Sequence, residues 1–274
     1  MPATATGNSY LSCFLTCRKK FYWKHILKLE PRELDKNLEI GSATHIGLAE
    51  WEVSHVPELA FDKARAYLES VNMTQEWDIT EAILKAYFEV FKSSPLQLIV
   101  PEFETSIKIG PWTYTMRIDG IAILDKHFYV LEHKTTGLGA SLFFRKFQVD
   151  RQITGYILGA QQYCPDKEII GVFVNGLFKP RRNKSGLGPV SPPQRELILR
   201  TPFQFDLFLN DTERIFEQIK VAKDAQKNGL NCFYQNTDAC VNFNRTCEYM
   251  DLCKYGPKPE LIEALFKTEE ESET

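Results

Sequence analysis

Asp119-Gly-Ile-Ala-Ile-Leu-Asp-Lys-His-Phe-Tyr-Val-Leu-Glu132-His-Lys134 is the stretch on which the reading of this chain turns. Its period-2 apolar runs, Ile121–Leu124 and Phe128–Leu131, predict two strands joined by a two-residue turn at Asp125-Lys126. If Leu124 and His127 close that turn, Asp119 falls opposite Glu132 and Arg117 opposite Lys134. Residues two apart on a strand share a face, so Glu132 and Lys134 point the same way. Two carboxylates facing each other across a ladder repel. A divalent cation between them resolves the conflict, because hard cations take oxygen ligands. The stretch therefore reads as a metal site with a lysine beside it.

Outward from this hairpin, the patterning predicts strands at Leu96–Ile109, Trp112–Leu124 and His127–Lys134. Before them come helices at Asn8–Leu29, Gly41–Val53, Val56–Val71 and Ile79–Phe91, with Asp78 a candidate cap and Pro31–Asn37 a charged loop. After them come a helix at Phe144–Tyr163, a buried strand at Glu168–Phe178 and a loop at Lys179–Pro193. An edge strand at Arg195–Arg200 and a helix at Pro202–Asn228, stopped by Gly229, follow. The order is that of an α/β fold, a mixed sheet flanked by helices, rather than a regular βαβ series.

With 274 residues, 43% hydrophobic and 25% charged, the chain can bury a sizeable core. A net charge of −3 excludes binding of a polyanion by bulk electrostatics, so such binding must use local patches. Two basic patches are candidates: Arg18-Lys19-Lys20, interleaved with Phe21, Tyr22 and Trp23, and the loop carrying Arg181 and Arg182. No run approaches the length of a membrane span, and Met1–Gly7 lacks a signal peptide's pattern. A cytoplasmic, reducing location is the expectation these features raise. There its seven cysteines are expected as thiols or ligands rather than disulfides.

Further motifs surround the hairpin in a fixed order. Gly41-Ser-Ala-Thr-His45 puts a histidine on a helix, and Gln152-Ile-Thr-Gly-Tyr156 puts Gln152 and Tyr156 one helical turn apart. The set G-x-x-x-H, D-G, E-x-K, Q-x-x-x-Y resembles the RecB-type exonuclease branch of the PD-(D/E)xK nuclease superfamily, from about Ser9 to Cys253. The resemblance implies a restriction-endonuclease-like core. It implies that His45, Asp119, Glu132 and the backbone carbonyl of His133 bind a catalytic Mg²⁺ or Mn²⁺. Lys134 then corresponds to the catalytic lysine, with Gln152 and Tyr156 near the substrate. The residue types suit phosphodiester hydrolysis, which needs an activated water and neutralisation of charge on the phosphate.

The cysteines cluster at the chain ends as Cys13-x3-Cys17 and Cys240-x6-Cys247-x5-Cys253, with Cys232 just before the second group. In the iron–sulfur members of the family, such as the CRISPR-associated adaptation nucleases, one N-terminal cysteine joins three C-terminal ones. By that resemblance Cys17, Cys240, Cys247 and Cys253 hold a [4Fe–4S] cluster. The first C-terminal gap is wider than the family's usual one, so Cys232 is an alternative to Cys240, as Cys13 is to Cys17. A Zn²⁺ site would use the same thiols.

The organisation expected is one nuclease domain over 1–274. Its catalytic core is 38–229, an iron–sulfur lobe is formed by 8–30 with 230–256, and 259–274 ends in an acidic, frayed tail. The function implied is a metal-dependent exonuclease acting on single-stranded DNA ends in recombination, repair or CRISPR adaptation, with recombination or integrase proteins as partners. DNA binding is assigned to Arg18, Lys19, Lys20, Tyr22, Arg181 and Arg182. The rival reading is a non-catalytic DNA-end binder with a vestigial pocket.

Overall fold

Apolar alternation and turn chemistry build the sheet in the order in which the chain is written. In a computed structural model describing residues 5–242 and 245–268, five strands form one sheet. They are β1 (Gln97–Val100), β2 (Gly120–Leu124), β3 (His127–Thr136), β4 (Ile169–Phe178) and β5 (Gln194–Ile198), side by side in that sequence. All neighbours are antiparallel except β3 and β4, which run parallel. The β2–β3 turn has positive φ at both Asp125 and Lys126, as a type I′ hairpin requires. The register places Leu124 opposite His127 and Gly120 opposite Leu131, the pairing expected from the sequence.

Two long strands anticipated from the sequence are each broken in two. Leu96–Ile109 becomes β1 and Phe103–Ile109, divided at Pro101-Glu102. Trp112–Leu124 becomes Trp112–Ile118 and β2, divided at Asp119. The outer halves pair with each other instead of with the sheet. A proline cannot donate to a ladder, so the first break has a local cause. At the second, a side chain on Gly120 would meet Leu98 Cδ1 at 2.5 Å and the Val100 carbonyl at 2.9 Å. Glycine there serves close strand approach, not a turn.

The chain divides into two compact units. One comprises Met1–Leu34, Lys108–Thr115 and Leu209–Thr274, the other Asp35–Ile107 and Met116–Phe208. The stretches 8–30 and 230–256 lie in the first, whereas the expected core 38–229 is shared between both. The acidic tail from residue 269 lies outside the described residues.

In the sheet-bearing unit, helices Lys36–Ser54 and Trp77–Phe91 cover one face, and helix Pro57–Ser70 packs on those two. Asp35 caps the first by accepting from the Asn37 amide at 2.8 Å, and His55 in the left-handed region ends it. The helix thus begins earlier than the sequence suggested, and Lys36 and Asn37 are helical rather than loop. Ile40, Leu48, Trp51, Ile83, Leu84 and Tyr87 pack with Leu177 into one apolar cluster. The other face carries helices Ala140–Arg145 and Arg151–Tyr163, which the sequence reading had merged. Asp150 separates them, capping the second through the Gln152 amide at 2.8 Å.

In the first unit, the expected helix Asn8–Leu29 stops at Thr16 and resumes at Arg18. Cys17 between them is extended, with φ −159°. A second apolar cluster there joins Trp23, Leu29, Tyr249, Leu252 and Phe266, and Tyr249 donates its hydroxyl to the Leu29 carbonyl at 2.8 Å.

Candidate functional site

Strand β3 is paired on both sides only as far as Leu131. Beyond it, residues 132–136 pair with β4 alone, because the chain before Gly120 belongs to another ladder. Asp119 occupies the gap. Its Oδ2 accepts the His133 backbone N–H at 2.7 Å, and its Oδ1 lies 3.3 Å from His45 Nδ1. Asp119 is therefore not paired across the ladder with Glu132, as the register arithmetic had it, but sits at the open end of that ladder. Arg117 likewise does not oppose Lys134; it stands in the outer hairpin, 3.6 Å from Glu102.

Side chains alternate along β3. Glu132 and Lys134 point to the face of helix Ala140–Arg145, since Gly176, partner of Lys134, abuts Phe143 and Phe144. His133 points to the other face, where its ring packs edge-on against those of His45 and Tyr87. Gly41 lets the histidine-bearing helix approach β3, as a Cβ there would already lie 3.3 Å from Thr135 Oγ1. The glycine and the histidine of G-x-x-x-H thus have separate tasks.

Glu132 is buried, its side chain 1% exposed. One oxygen forms an ion pair with the Lys134 ammonium; the other, Oε2, has no hydrogen-bond partner. Burial and the nearby Asp119 charge push the Glu132 carboxyl up to about 7. Burial would also raise Asp119, but His45, His133 and Lys134 hold it well below the usual carboxylate range. Burial opposes the charge on His45 and on Lys134, and in both cases the carboxylates prevail and raise the pKa. Burial lowers His133 to about 3 and leaves its ring neutral. These perturbations are those of one electrostatically coupled group: His45, Asp119, Glu132 and Lys134.

Gln152 donates its side-chain amide to the Tyr156 hydroxyl at 2.7 Å, the one-turn pairing expected. Other participants escaped the sequence reading. Asp150 acts electrostatically on both Lys134 and Lys146, and Lys146 also feels Glu132. Behind His133, Asn175 Nδ2 lies 3.2 Å from its Nδ1. Arg195 donates to Asn175 Oδ1 at 2.6 Å and to Ser94 Oγ at 2.8 Å, and Tyr87 donates to Glu52 at 2.7 Å. The N-cap position of Asp150 could have been found from Asp-x-Gln preceding a helix. Asn175 and Arg195 gave no local signal, because their partners are distant in sequence.

In the first unit, Cys17 Sγ accepts backbone N–H groups of Lys20 and Asn236 at 3.5 and 3.4 Å, and Cys240 Sγ accepts from Gln235 Nε2 at 3.4 Å. Cys17 acts electrostatically on Cys247 and Cys253, and Cys240 on Cys253. Burial raises both of those thiols. Cys13, pushed by burial up to about 11, also feels Cys17. The basic-aromatic stretch finds partners within the unit. Arg18 bonds Gln218 at 3.2 Å and lies over Phe14 and Tyr234, Lys19 lies over Tyr22 and Trp23, and Lys20 pairs with Glu248 at 2.9 Å. The Tyr22 ring packs against Phe233. In the other unit, Arg182 is engaged by Glu76, Asp78 and the Gln75 carbonyl, whereas Arg181 is exposed.

Among the described residues, no three His, Cys, Asp or Glu side chains stand in metal-holding geometry. At the Asp119 corner the reason is visible: Asp119 is occupied by His45 and His133, and Glu132 by Lys134. The donor set nevertheless fits a hard cation. A buried carboxylate oxygen without a partner is costly and calls for a proton or a positive ion.

No described helix is long and apolar enough to cross a membrane. No curated protein matches the chain. Among solved structures it is similar to one described as a "Putative exonuclease" from Eubacterium rectale, at 13% identity and TM-score 0.47, covering 88% of this chain and 82% of that one. It is also similar to SSO0001, at 12% identity and TM-score 0.29, covering 63% and 74%. The family model of the PD-(D/E)XK nuclease superfamily matches residues 8–254, from the first described helix to the last cysteines, and the chain belongs to that superfamily.

Proposed function

We propose that the chain is a Mg²⁺- or Mn²⁺-dependent deoxyribonuclease that degrades single-stranded DNA from its ends, in recombination, repair or CRISPR adaptation. The observation that carries this reading is the buried Glu132, whose Oε2 lacks a partner while Asp119 and Lys134 act on the same carboxylate. Asp119, Glu132, His45 and the His133 carbonyl would hold the cation. In a strand the N–H and C=O of one residue point to the same edge. The His133 N–H reaches Asp119, so its carbonyl faces the same open edge. When bound, the cation supplies charge for the phosphate oxygens and lowers the pKa of a coordinated water.

The protein's own groups divide the remaining work. His45 fixes the orientation of one Asp119 oxygen, leaving the carboxylate charged. Lys134 places an ammonium beside Glu132, where it can neutralise charge developing on a phosphate. Gln152 and Tyr156, bonded to each other, present a polar pair on one helix face for the substrate. The test is degradation of an end-labelled single-stranded oligonucleotide with Mn²⁺. Glu132→Ala and Lys134→Ala should each abolish it; retention in both would overturn the assignment. Binding without cleavage in any divalent metal would instead favour a DNA-end-binding protein.

In the first unit, the reading extends to a [4Fe–4S] cluster on Cys17, Cys240, Cys247 and Cys253. It is supported by the mutual electrostatic reach of these thiols and by N–H donors on the sulfurs of Cys17 and Cys240, a contact type that tunes such clusters. Protein purified anaerobically should contain iron.

A further inference from the structure

A second recess in the sheet-bearing unit lies not at Asp119 but past the ends of the two parallel strands. It has a volume of about 450 Å³. Thr136 and Phe178, the last residues of β3 and β4, line it, with Leu138 and Pro189 adding apolar surface and Lys179 and Arg181 positive charge. Open α/β sheets bind ligands at this position, outside the carboxyl ends of parallel strands. The volume lies in the range of sites for small organic ligands.

Three hydrogen bonds hold the wall in place. The Lys179 amide donates to the Thr136 carbonyl at 2.8 Å, the Leu138 amide to Thr136 Oγ1 at 3.0 Å, and the Gly188 amide to the Arg181 carbonyl at 2.9 Å. Gly137 and Gly139 flank Leu138 in the lining, with open space where a Cβ would stand. The adjacent arginines differ sharply. Arg182 is neutralised by Glu76 and Asp78, while Arg181 lines the recess and its side chain has no described ion-pair or hydrogen-bond partner. Thr136 is two residues beyond Lys134, which at ~3.3 Å per residue is about 7 Å along the strand. That distance is about two stacked-nucleotide rises of ~3.4 Å.

We propose that this recess is a nucleotide subsite: it takes an unpaired nucleotide close to the scissile phosphate, with Arg181 on a backbone phosphate and Leu138 against the base. The assignment rests on the nuclease reading and gives it a structural basis for preferring single strands. A base must leave its stack to enter the recess, which costs least when it is unpaired.

The test measures binding of a fluorescein-labelled thymidine oligonucleotide by anisotropy in Ca²⁺, at several salt concentrations, alongside Mn²⁺ cleavage. Arg181→Ala should weaken binding about tenfold and reduce the slope of log K against log salt by about 0.7, one phosphate contact on a single strand. Leu138→Ala should weaken binding about fivefold with an unchanged slope, and a single abasic position in the strand should remove that effect. Binding within twofold of wild type in both variants, with slopes unaltered, overturns the subsite. If wild type binds but does not cleave and the variants lose binding as stated, the subsite stands and the cleavage reading fails. If wild type neither binds nor cleaves, both fail.

Discussion

At the corner around Asp119, four charged groups are tied to one another: His45 to Asp119, and Lys134 to Glu132. Around Cys17, the sulfurs instead receive N–H groups from Lys20, Asn236 and Gln235, and the nearby cations are occupied by carboxylate, amide or aromatic partners. The first region stores an electrostatic conflict, visible as the orphaned Oε2 of Glu132. The second stores none. Its thiols are half-buried, or buried at Cys17, and stay neutral at ordinary pH wherever burial raises them. A site that stores strain of this kind trades stability for chemistry, whereas a ligand-poised thiol cluster contributes stability only when something binds it.

The largest expected effect tests the first half of that contrast. Glu132→Gln keeps the shape and removes the buried charge. DNA cleavage should fall about 10³-fold, the loss typical of removing one electrostatic stabiliser of a transition state. Melting temperature of the cation-free protein should not fall, because the substitution removes the burial cost and the Asp119 repulsion that push this carboxyl up to about 7, which offsets the lost pairing with a partly exposed Lys134. A clear fall in melting temperature would show that the Glu132–Lys134 pair is a structural bridge and not a reservoir of strain.

The second half is tested by Cys247→Ala. If the thiols bind a cluster, the substitution should release iron and destabilise the first unit by about 3 kcal/mol or more, since metal binding and folding share their free energy. If the thiols are only packing, loss of one half-buried sulfhydryl should cost ~1 kcal/mol or less. Chemical denaturation with and without a chelator separates the two outcomes.

How much of this was legible in the sequence depended on how local the cause was. The β2–β3 turn, its register and the shared face of Glu132 and Lys134 follow from alternation and the turn pair, and the structure has all three. The breaks at Pro101-Glu102 and Asp119 were missed because alternation continues through them; a strand can change partners without changing its period. The break at Cys17 was missed for a similar reason, since basic and aromatic residues on both sides suit a helix. Asp119, expected across from Glu132, instead closes the open edge of His133, which no pairing rule states. The hydrogen-bond and ion-pair partners of Arg18, Lys20 and Arg182 lie 104 or more residues away in sequence and in separate elements, so a basic run looked freer for DNA than it is.

An intermediate effect concerns the support behind the corner. Asn175 is fully buried and joins the His133 ring to Arg195. Asn175→Ala should destabilise the protein by about 1–3 kcal/mol, the cost of leaving buried polar partners unmatched. Cleavage should also fall, by about tenfold, because His133 carries the amide that holds Asp119. Denaturation and single-turnover cleavage on the same variant check both. Lost stability with unchanged cleavage would confine Asn175 to packing and show that the His133 amide and His45 position Asp119 without it.

The smallest effect separates capping from electrostatics at Asp150. Its side chain caps helix Arg151–Tyr163, and its charge reaches Lys134 and Lys146. Asp150→Ala removes both functions and should cost ~1 kcal/mol of stability, the usual value of an N-cap. Asp150→Ser restores the cap without the charge. If the carboxylate does no more than start the helix, Asp150→Ser should recover wild-type stability and wild-type cleavage together. If it also tunes the Lys134 ammonium, stability should return while cleavage stays a few-fold low, and the electrostatic group at the Asp119 corner would then extend across the sheet face to the helix that carries Gln152 and Tyr156.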